Sequence, residues 1–168
     1  MGGKAKSTER TALDVYVDCL RGHLAIETRA VENALSDLPA CEQQARLSAR
    51  LEQDLTMGRS HVNEITIILA RHGHHPPVPH ETVSSVLSTV SSFLHGGDDD
   101  DILQRTLKTV GYRAHQLASF ETLIRLASRL GFAEDVKILT CLRDEEITSA
   151  DWLGANLTSI IDDYIDAL

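Results

Sequence analysis

Four polar positions interrupt apolar stripes that otherwise predict long amphipathic helices, and their chemistry could define a site. They are Glu27, His61, Arg113 with Gln116 three residues on, and Glu146. Carboxylates and imidazole are ligands of iron, manganese and similar metals, whereas a guanidinium carries a permanent positive charge that repels them. A charged side chain in a helical core must be paired, hydrated or functional, because an unpaired buried charge is too costly. The sequence therefore predicts a site where these positions meet.

The stretch from Asp101 to Gly131 carries Arg113 and predicts one long helix. Its apolar residues recur at steps of three and four, the spacing that keeps side chains on one helical face. These residues are Leu103, Leu107, Val110, Leu117, Phe120, Ile124, Ala127 and Leu130. Arg113 occupies a position in this series where a core side chain is expected. The aspartates at 98–101 complement the positive end of the helix dipole.

The same periodicity predicts three further long helices, each containing one of the other polar positions. The first covers about 8–37 and is stopped by Pro39. The second covers about 40–72 and forms an antiparallel hairpin with the first, because the connection is only a few residues long. The fourth covers about 133–153 and can extend past Gly154 towards the end of the chain. We therefore predict an all-α, antiparallel four-helix bundle.

The segment between the second and third long helices predicts a crossover connection. Residues 73–80, GHHPPVPH, include three prolines and cannot be helical. The histidines at 72, 74, 75 and 80 are interpreted as part of an exposed loop, since no carboxylate or thiolate completes a metal site there. Residues 81–95 have the apolar spacing of a short extra helix.

Length, charge and cysteine content limit the classes of function. The 168 residues suit a single domain over 9–168, preceded by a mobile tail at 1–8. A net charge of −9 argues against nucleic acid as a partner, and no apolar run is long enough to span a membrane. The three cysteines are widely spaced and odd in number, which favours reduced thiols and a cytoplasmic location.

Four short motifs resemble those of one family. They are AIETRAVENAL at 25–35, HVNEI at 61–65, FETLIRLASRLG at 120–131 and LRDEE at 142–146. In their order and spacing they resemble the YciE/YciF family of ferritin-like proteins, a stress-related domain of unknown function. The resemblance implies a ferritin-like bundle with a long crossover between its second and third helices, and a homo-oligomer, expected to be a dimer. It also implies a metal centre whose matching ligands are Glu27, His61 and Glu146.

The chain departs from the family at several expected ligands. The family's glutamates on the third helix, three residues apart, fall at Arg113 and Gln116, and the glutamates ahead of the histidine fall at Thr56 and Met57. An arginine in a metal centre repels the ions whose ligand it replaces. The leading hypothesis is thus a buried salt-bridge network without a cofactor, in which Arg113 contacts one of the two matching glutamates.

Other interpretations stay open at this point. A surviving iron or manganese site would make the protein an oxidase, a peroxidase or a catalase-like enzyme. Without a metal, a scaffold or interaction role is expected. Arg113 could also turn to solvent, and Glu27 could pair at the surface with Arg29. His61 and His115 could be interface or surface histidines and not ligands, with Glu145 facing solvent beside Glu146.

Overall fold

The computed structural model describes residues 10–75 and 102–166, which form four long α-helices. They are α1 (Ala12–Asp37), α2 (Ala45–Arg71), α3 (Ile102–Leu130) and α4 (Ala133–Asp166), with a short 3-10 turn at Pro39–Cys41. No strand occurs within these described ranges, and the all-α prediction is confirmed. The predicted tail at 1–8 and the predicted short helix at 81–95 lie outside the described residues.

Local capping and turn residues set the ends of the helices. The Thr11 hydroxyl accepts a hydrogen bond from the Asp14 amide at 3.1 Å, and the Asp14 carboxylate accepts one from the Thr11 amide at 2.7 Å. This capping box starts α1 at Ala12, later than its periodicity predicted. Gly131, with a φ of +77°, ends α3. Gly154 does not interrupt α4, which is one continuous helix.

The contacts between helices fix the topology. Arg105 pairs with Asp37 at 2.5 Å, while Ser119 lies 2.8 Å from a ring nitrogen of His23, so α3 runs antiparallel to α1. Contacts between α2 and α4 follow the same pattern. Since short turns make hairpins of α1 with α2 and of α3 with α4, helices α2 and α3 run in the same direction. The end of α2 and the start of α3 therefore lie at opposite ends of the bundle, as in the ferritin-like arrangement.

The apolar core consists of two clusters, one on each side of a buried polar layer. One cluster is centred on Tyr16, Leu20, Ile65, Phe120 and Leu139. The other is centred on Ala34, Cys41, Leu51, Ile102 and Leu153. Along the described part of the chain, none of the helices combines the length and the apolarity that a bilayer crossing needs.

The predicted apolar stripe of α3 is wrong in its first half. Leu107 and Val110 are 54% and 41% exposed, whereas Tyr112 and Arg113 are buried. The Tyr112 hydroxyl donates a hydrogen bond to the backbone carbonyl of Ile26 at 2.6 Å. The buried hydrogen-bond partners of its polar side chains thus set the rotation of α3 about its axis. Hydrophobic periodicity carries no information about those partners.

Candidate functional site

The buried polar layer contains the five predicted site residues, with at least one from each helix. Glu27 and His61 are fully buried, Gln116 and Glu146 are each 1% exposed, and Arg113 is 7% exposed. The alternative interpretations of Glu27 and His61 as surface residues, and of Arg113 as solvent-facing, are therefore wrong. We use the term polar layer for these five residues together with Asp54.

Arg113 bridges two carboxylates from different helices. Its Nη1 donates to Oε2 of Glu146 at 2.5 Å, and its Nη2 donates to Oδ2 of Asp54 at 2.5 Å. Of the two contacts predicted for Arg113, with Glu27 and with Glu146, the structure shows the second. Two charge-assisted hydrogen bonds hold the guanidinium in one orientation across the bundle.

Asp54 was not among the predicted site residues, although it lies one heptad before His61 on the same side of α2. Its Oδ1 accepts hydrogen bonds from Nε of Arg50 at 2.9 Å and from Oγ of Ser149 at 2.8 Å. Both carboxylate oxygens of Asp54 are therefore engaged. Together with Arg113 and Glu146, these residues form what we call the Arg113 network.

The two oxygens of Glu27 differ in their surroundings. Oε1 accepts a hydrogen bond from Nε2 of Gln116 at 3.0 Å and lies 3.2 Å from Nε2 of His23. Oε2 has no hydrogen-bond partner among the described residues. His23 is fully buried and was missed by sequence reasoning. Its position four residues before Glu27, in step with Leu20, is the signal that could have found it.

The two ring nitrogens of His61 also differ. Nε2 lies 2.9 Å from Oε2 of Glu145, and because a carboxylate can only accept, Nε2 carries the hydrogen. Nδ1 has no hydrogen-bond partner in the described structure, although it lies 3.3 Å from Oε2 of Glu27 and 3.8 Å from Oε1 of Glu146. Glu145 was predicted to face solvent; it is half-exposed and pairs with His61.

The pKa shifts in the polar layer favour an ionised carboxylate at Glu27 and a positive charge on the His61 ring beside it. Burial alone would raise the pKa of Glu27, but the nearby His23 and His61 rings outweigh it and lower the pKa to about 2. Burial alone would lower the pKa of His61, but Glu27, Glu145 and Glu146 raise it. Burial raises the pKa of Glu146, and Arg113 offsets only part of that rise.

The layer does not fit two metal ions. Ferritin-like di-metal centres take one Glu from each of two helices and a Glu and His three residues apart from each of the others. In α2 the position three before His61 is Gly58, and in α4 the position three after Glu146 is Ser149. A Cβ at position 58 would come within 2.9 Å of Cγ2 of Val31, so no carboxylate fits there without repacking.

The layer does fit one ion. Glu27, His61 and Glu146 each offer one ligand atom, and these three atoms lie within 4.8 Å of one another. The guanidinium of Arg113 lies on the far side of Glu146, where it holds the other oxygen of that carboxylate. Imidazole with carboxylates suits divalent manganese, iron, cobalt or zinc.

A second buried polar group lies at the other end of the apolar cluster around Phe120. Asp135 accepts hydrogen bonds from the Tyr16 hydroxyl at 2.9 Å and from Arg71, and its Oδ2 lies 2.6 Å from Nε2 of His72. We call these four residues the Asp135 cluster. His72 was predicted to belong to an exposed loop, but its side chain is only 11% exposed because it packs in this cluster.

Fold and site together define a ferritin-like helical bundle with an altered polar centre. The chain belongs to the family described as Domain of unknown function (DUF892), whose model matches residues 11–166. It is similar to a crystal structure of a protein from Xanthomonas campestris pv. campestris, with 16% identity and a TM-score of 0.78 over 94% of this chain and 98% of that one. It is also similar to the stress protein YciF of Escherichia coli, with 15% identity and a TM-score of 0.73 over 91% and 98%. The resemblance to the YciE/YciF family is thereby confirmed.

Proposed function

We propose that the protein is a stress-associated, non-catalytic bundle protein with a scaffold or interaction role, in which the Arg113 network replaces the two-metal centre. The observation that carries this proposal is the position of Arg113 between Glu146 and Asp54 in the bundle centre. The stress association is supported by the similarity of the fold to the Escherichia coli stress protein YciF.

The charge of Arg113 is the physical reason for the loss of a second ion. A guanidinium stays protonated at any physiological pH, so Arg113 together with Arg50 offsets the charges of Glu146 and Asp54 without a metal. A divalent ion added beside Arg113 would meet a fixed positive charge in a region of low dielectric. It would also have to take Glu146 from its charge-assisted hydrogen bond.

The proposal includes a cytoplasmic homodimer. Cys19, Cys41 and Cys141 are all free thiols, which supports a reducing compartment. Leu107 and Val110 lie exposed on α3, and such apolar residues on a helix surface support association with a second copy. Sedimentation equilibrium of the full chain tests the dimer, and a monomer across micromolar concentrations would contradict it.

Metal analysis tests the proposed function. The full chain is expressed in medium supplemented with iron and manganese, and a ferritin prepared in parallel serves as the positive control. We expect fewer than two ions per chain and no consumption of ferrous iron or peroxide above background. Two ions per chain with either activity would contradict the proposal.

A second candidate function is a metal-dependent oxidoreductase of the oxidase, peroxidase or catalase-like type. The convergence of Glu27, His61 and Glu146 on a common point supports it. The resident metal would supply the redox chemistry, and these residues would bind it and exclude bulk water. Turnover of peroxide or ferrous iron by the metal-loaded chain distinguishes the two candidates.

A further inference from the structure

We propose that an apolar cavity beside Cys41 binds one small apolar molecule of the size of dioxygen or xenon. The cavity, which we call the Cys41 cavity, lies between the polar layer and the turn at Pro39–Cys41. It contains none of the residues Glu27, His61 and Glu146, so the inference is independent of both candidate functions.

The walls of the Cys41 cavity come from every part of this end of the bundle. Its apolar walls are Cys41 from the turn after α1, Leu47 and Leu51 from α2, Ile102 from α3 and Leu153 from α4. All five side chains belong to the second apolar cluster and are less than one-tenth exposed. The surface they present to the cavity is almost entirely apolar, as is typical of pockets for small apolar molecules.

The size of the Cys41 cavity limits the kind of molecule that fits. Its volume, measured by the room it gives the centre of a water molecule, is about 30 Å³. A single water needs about 10 to 15 Å³ of such space. The cavity therefore has room for one molecule of two or three heavy atoms, or for one xenon atom, and excludes larger ligands.

The charged groups in the wall are paired with one another. Nη1 of Arg105 lies 2.5 Å from Oδ1 of Asp37, and Nη2 of Arg50 lies 2.7 Å from Oδ1 of Asp54. Two cations and two anions thus balance around the cavity. No net charge in its wall attracts an ion, which favours a neutral occupant.

The hydroxyl groups in the wall already donate to the backbone of α3. Thr106 donates a hydrogen bond to the carbonyl of Ile102 at 2.8 Å, and Thr109 donates one to the carbonyl of Arg105 at 2.9 Å. A buried water typically needs two to four polar partners. Because the polar groups of this wall have partners among the described residues, an apolar molecule is favoured over water.

The Cys41 thiol acts as part of the apolar wall and not as a reactive group. Burial raises the pKa of Cys41, Asp37 raises it further, and Arg105 offsets part of the rise. The thiol therefore stays protonated near neutral pH, and a protonated buried thiol is a small apolar side chain and a poor nucleophile. The bound molecule is expected to occupy the cavity without reacting.

Xenon is the first probe, because dry apolar cavities take up this unreactive atom. Methyl NMR of the full chain under xenon pressure should show saturable shifts at Leu47, Leu51 and Leu153, at one xenon per chain. Methyl groups of Ile65 and Leu139, in the other apolar cluster, should keep their shifts. Equal shifts in both clusters, or a cavity filled by water or by a side chain of this chain, would overturn the inference.

Dioxygen is the second probe, because it is paramagnetic and speeds the relaxation of protons near it. Under raised dioxygen pressure, the same methyl groups that respond to xenon should relax faster than those of Ile65 and Leu139. A uniform increase over both clusters would show that dioxygen has no preferred position and would overturn the assignment of the cavity to it.

A cavity-filling variant and a matched control complete the test. Cys41→Leu puts added methyl groups into the cavity and should abolish saturable xenon binding, and Cys41→Val should weaken it if the leucine variant fails to fold. Cys19→Leu is the control, since Cys19 packs on the other apolar cluster, and it should bind xenon as the wild type does. Wild-type xenon binding in a folded Cys41 variant would overturn the inference and leave the proposed function as it stands.

Discussion

The Asp135 cluster and the polar layer differ in how completely their buried polar atoms are hydrogen-bonded. In the Asp135 cluster, donors from Tyr16, Arg71 and His72 converge on one carboxylate, and both of its oxygens are engaged. In the polar layer, Oε2 of Glu27 and Nδ1 of His61 lack hydrogen-bond partners within the described residues. A saturated cluster ties helices together, whereas buried atoms without hydrogen-bond partners at a common point are open to a water, a proton or an ion.

The two groups also differ in their access to solvent. Arg71 is about one-third exposed, so its charge can be hydrated if Asp135 is lost. Arg113 and Glu146 lie in the bundle centre, where neither can be hydrated without opening the core. The same type of ion pair should therefore have a much larger effect on stability in the layer than in the cluster.

The largest expected effect tests this difference directly. Arg113→Leu removes the guanidinium that Glu146 and Asp54 share; Asp54 keeps Arg50, but the buried Glu146 loses its guanidinium partner. We expect the free energy of unfolding to fall by about 3 to 5 kcal/mol, as for other broken buried ion pairs. Urea denaturation followed by circular dichroism measures the change. Arg143→Leu, which removes an arginine paired with exposed acids, is the control and should change little.

An outcome with Arg113→Leu as stable as the wild type would mean that the layer relaxes by protonating Glu146. The pKa of this carboxyl is already raised by burial, so the measurement should be made well above neutral pH. At that pH a protonated Glu146 is disfavoured and the expected loss of stability is largest.

Metal binding should separate the two groups next. If the second candidate function holds, free Co²⁺ at 100 times its dissociation constant should raise the free energy of unfolding by about 2.7 kcal/mol, because the ion would bind only the folded chain. The same increase is expected for the His72→Asn variant, since the Asp135 cluster takes no part. An unchanged melting temperature with saturating Co²⁺ would contradict a layer that binds an ion.

Asp135→Asn examines the saturated cluster by removing its charge and one acceptor. The Asn oxygen is expected to stay with the charged Arg71, so the amide nitrogen takes the Oδ2 position and leaves the fully buried Tyr16 hydroxyl without its acceptor, whereas Arg71 is about one-third exposed. We expect a loss of about 2 kcal/mol, within the range for an unsatisfied buried group. Affinity for Co²⁺ should stay at the wild-type value, and a parallel loss would show that the two groups are coupled.

Tyr16→Phe is a smaller change in the same cluster. It removes one hydroxyl hydrogen bond, while Asp135 keeps Arg71 and His72 as donors. The expected loss is about 1 kcal/mol, the net value of a typical hydrogen bond. The difference in thermal unfolding between Tyr16→Phe and Asp135→Asn gives the contribution of the remaining donors. A loss as large as that of Asp135→Asn would mean that the hydroxyl dominates the cluster.

The smallest expected effect concerns the corrected face of α3. Leu107→Gln changes an exposed side chain and should alter the free energy of unfolding by less than about 0.5 kcal/mol. Dilute protein is required, so that association does not contribute. A large loss of unfolding free energy under those conditions would mean that Leu107 is buried in the core, as its periodicity predicted.

Much of the fold follows from local sequence signals. Steps of three and four residues predicted the four helices, and the short connection after the first helix predicted the first hairpin. Pro39 and Gly131 mark turns because one breaks a helix and the other adopts a positive φ. Helix starts were less predictable, since the capping box at Thr11 shortened the first helix relative to its periodicity.

The site was predictable only in part. The sequence of each helix shows where a polar residue interrupts its apolar stripe, and this identified Glu27, His61, Arg113 and Glu146. Apart from His23 on the same helix as Glu27, their partners come from other helices at separations of 30 residues or more, such as the 59 residues between Arg113 and Asp54. Hydrophobic periodicity describes one helix at a time, so it cannot predict which residues of two helices will pair.

The sequence by itself determined that this chain forms a helical bundle and that each helix contributes a polar side chain to its centre. Only the tertiary structure decided the rotation of each helix about its axis, which buried Tyr112 and exposed Leu107. That rotation depends on packing against two neighbouring helices at once, and a stripe is wide enough to allow several choices. The tertiary structure also decided that Arg113 pairs with Oε2 of Glu146, while Oε1 of the same carboxylate faces His61.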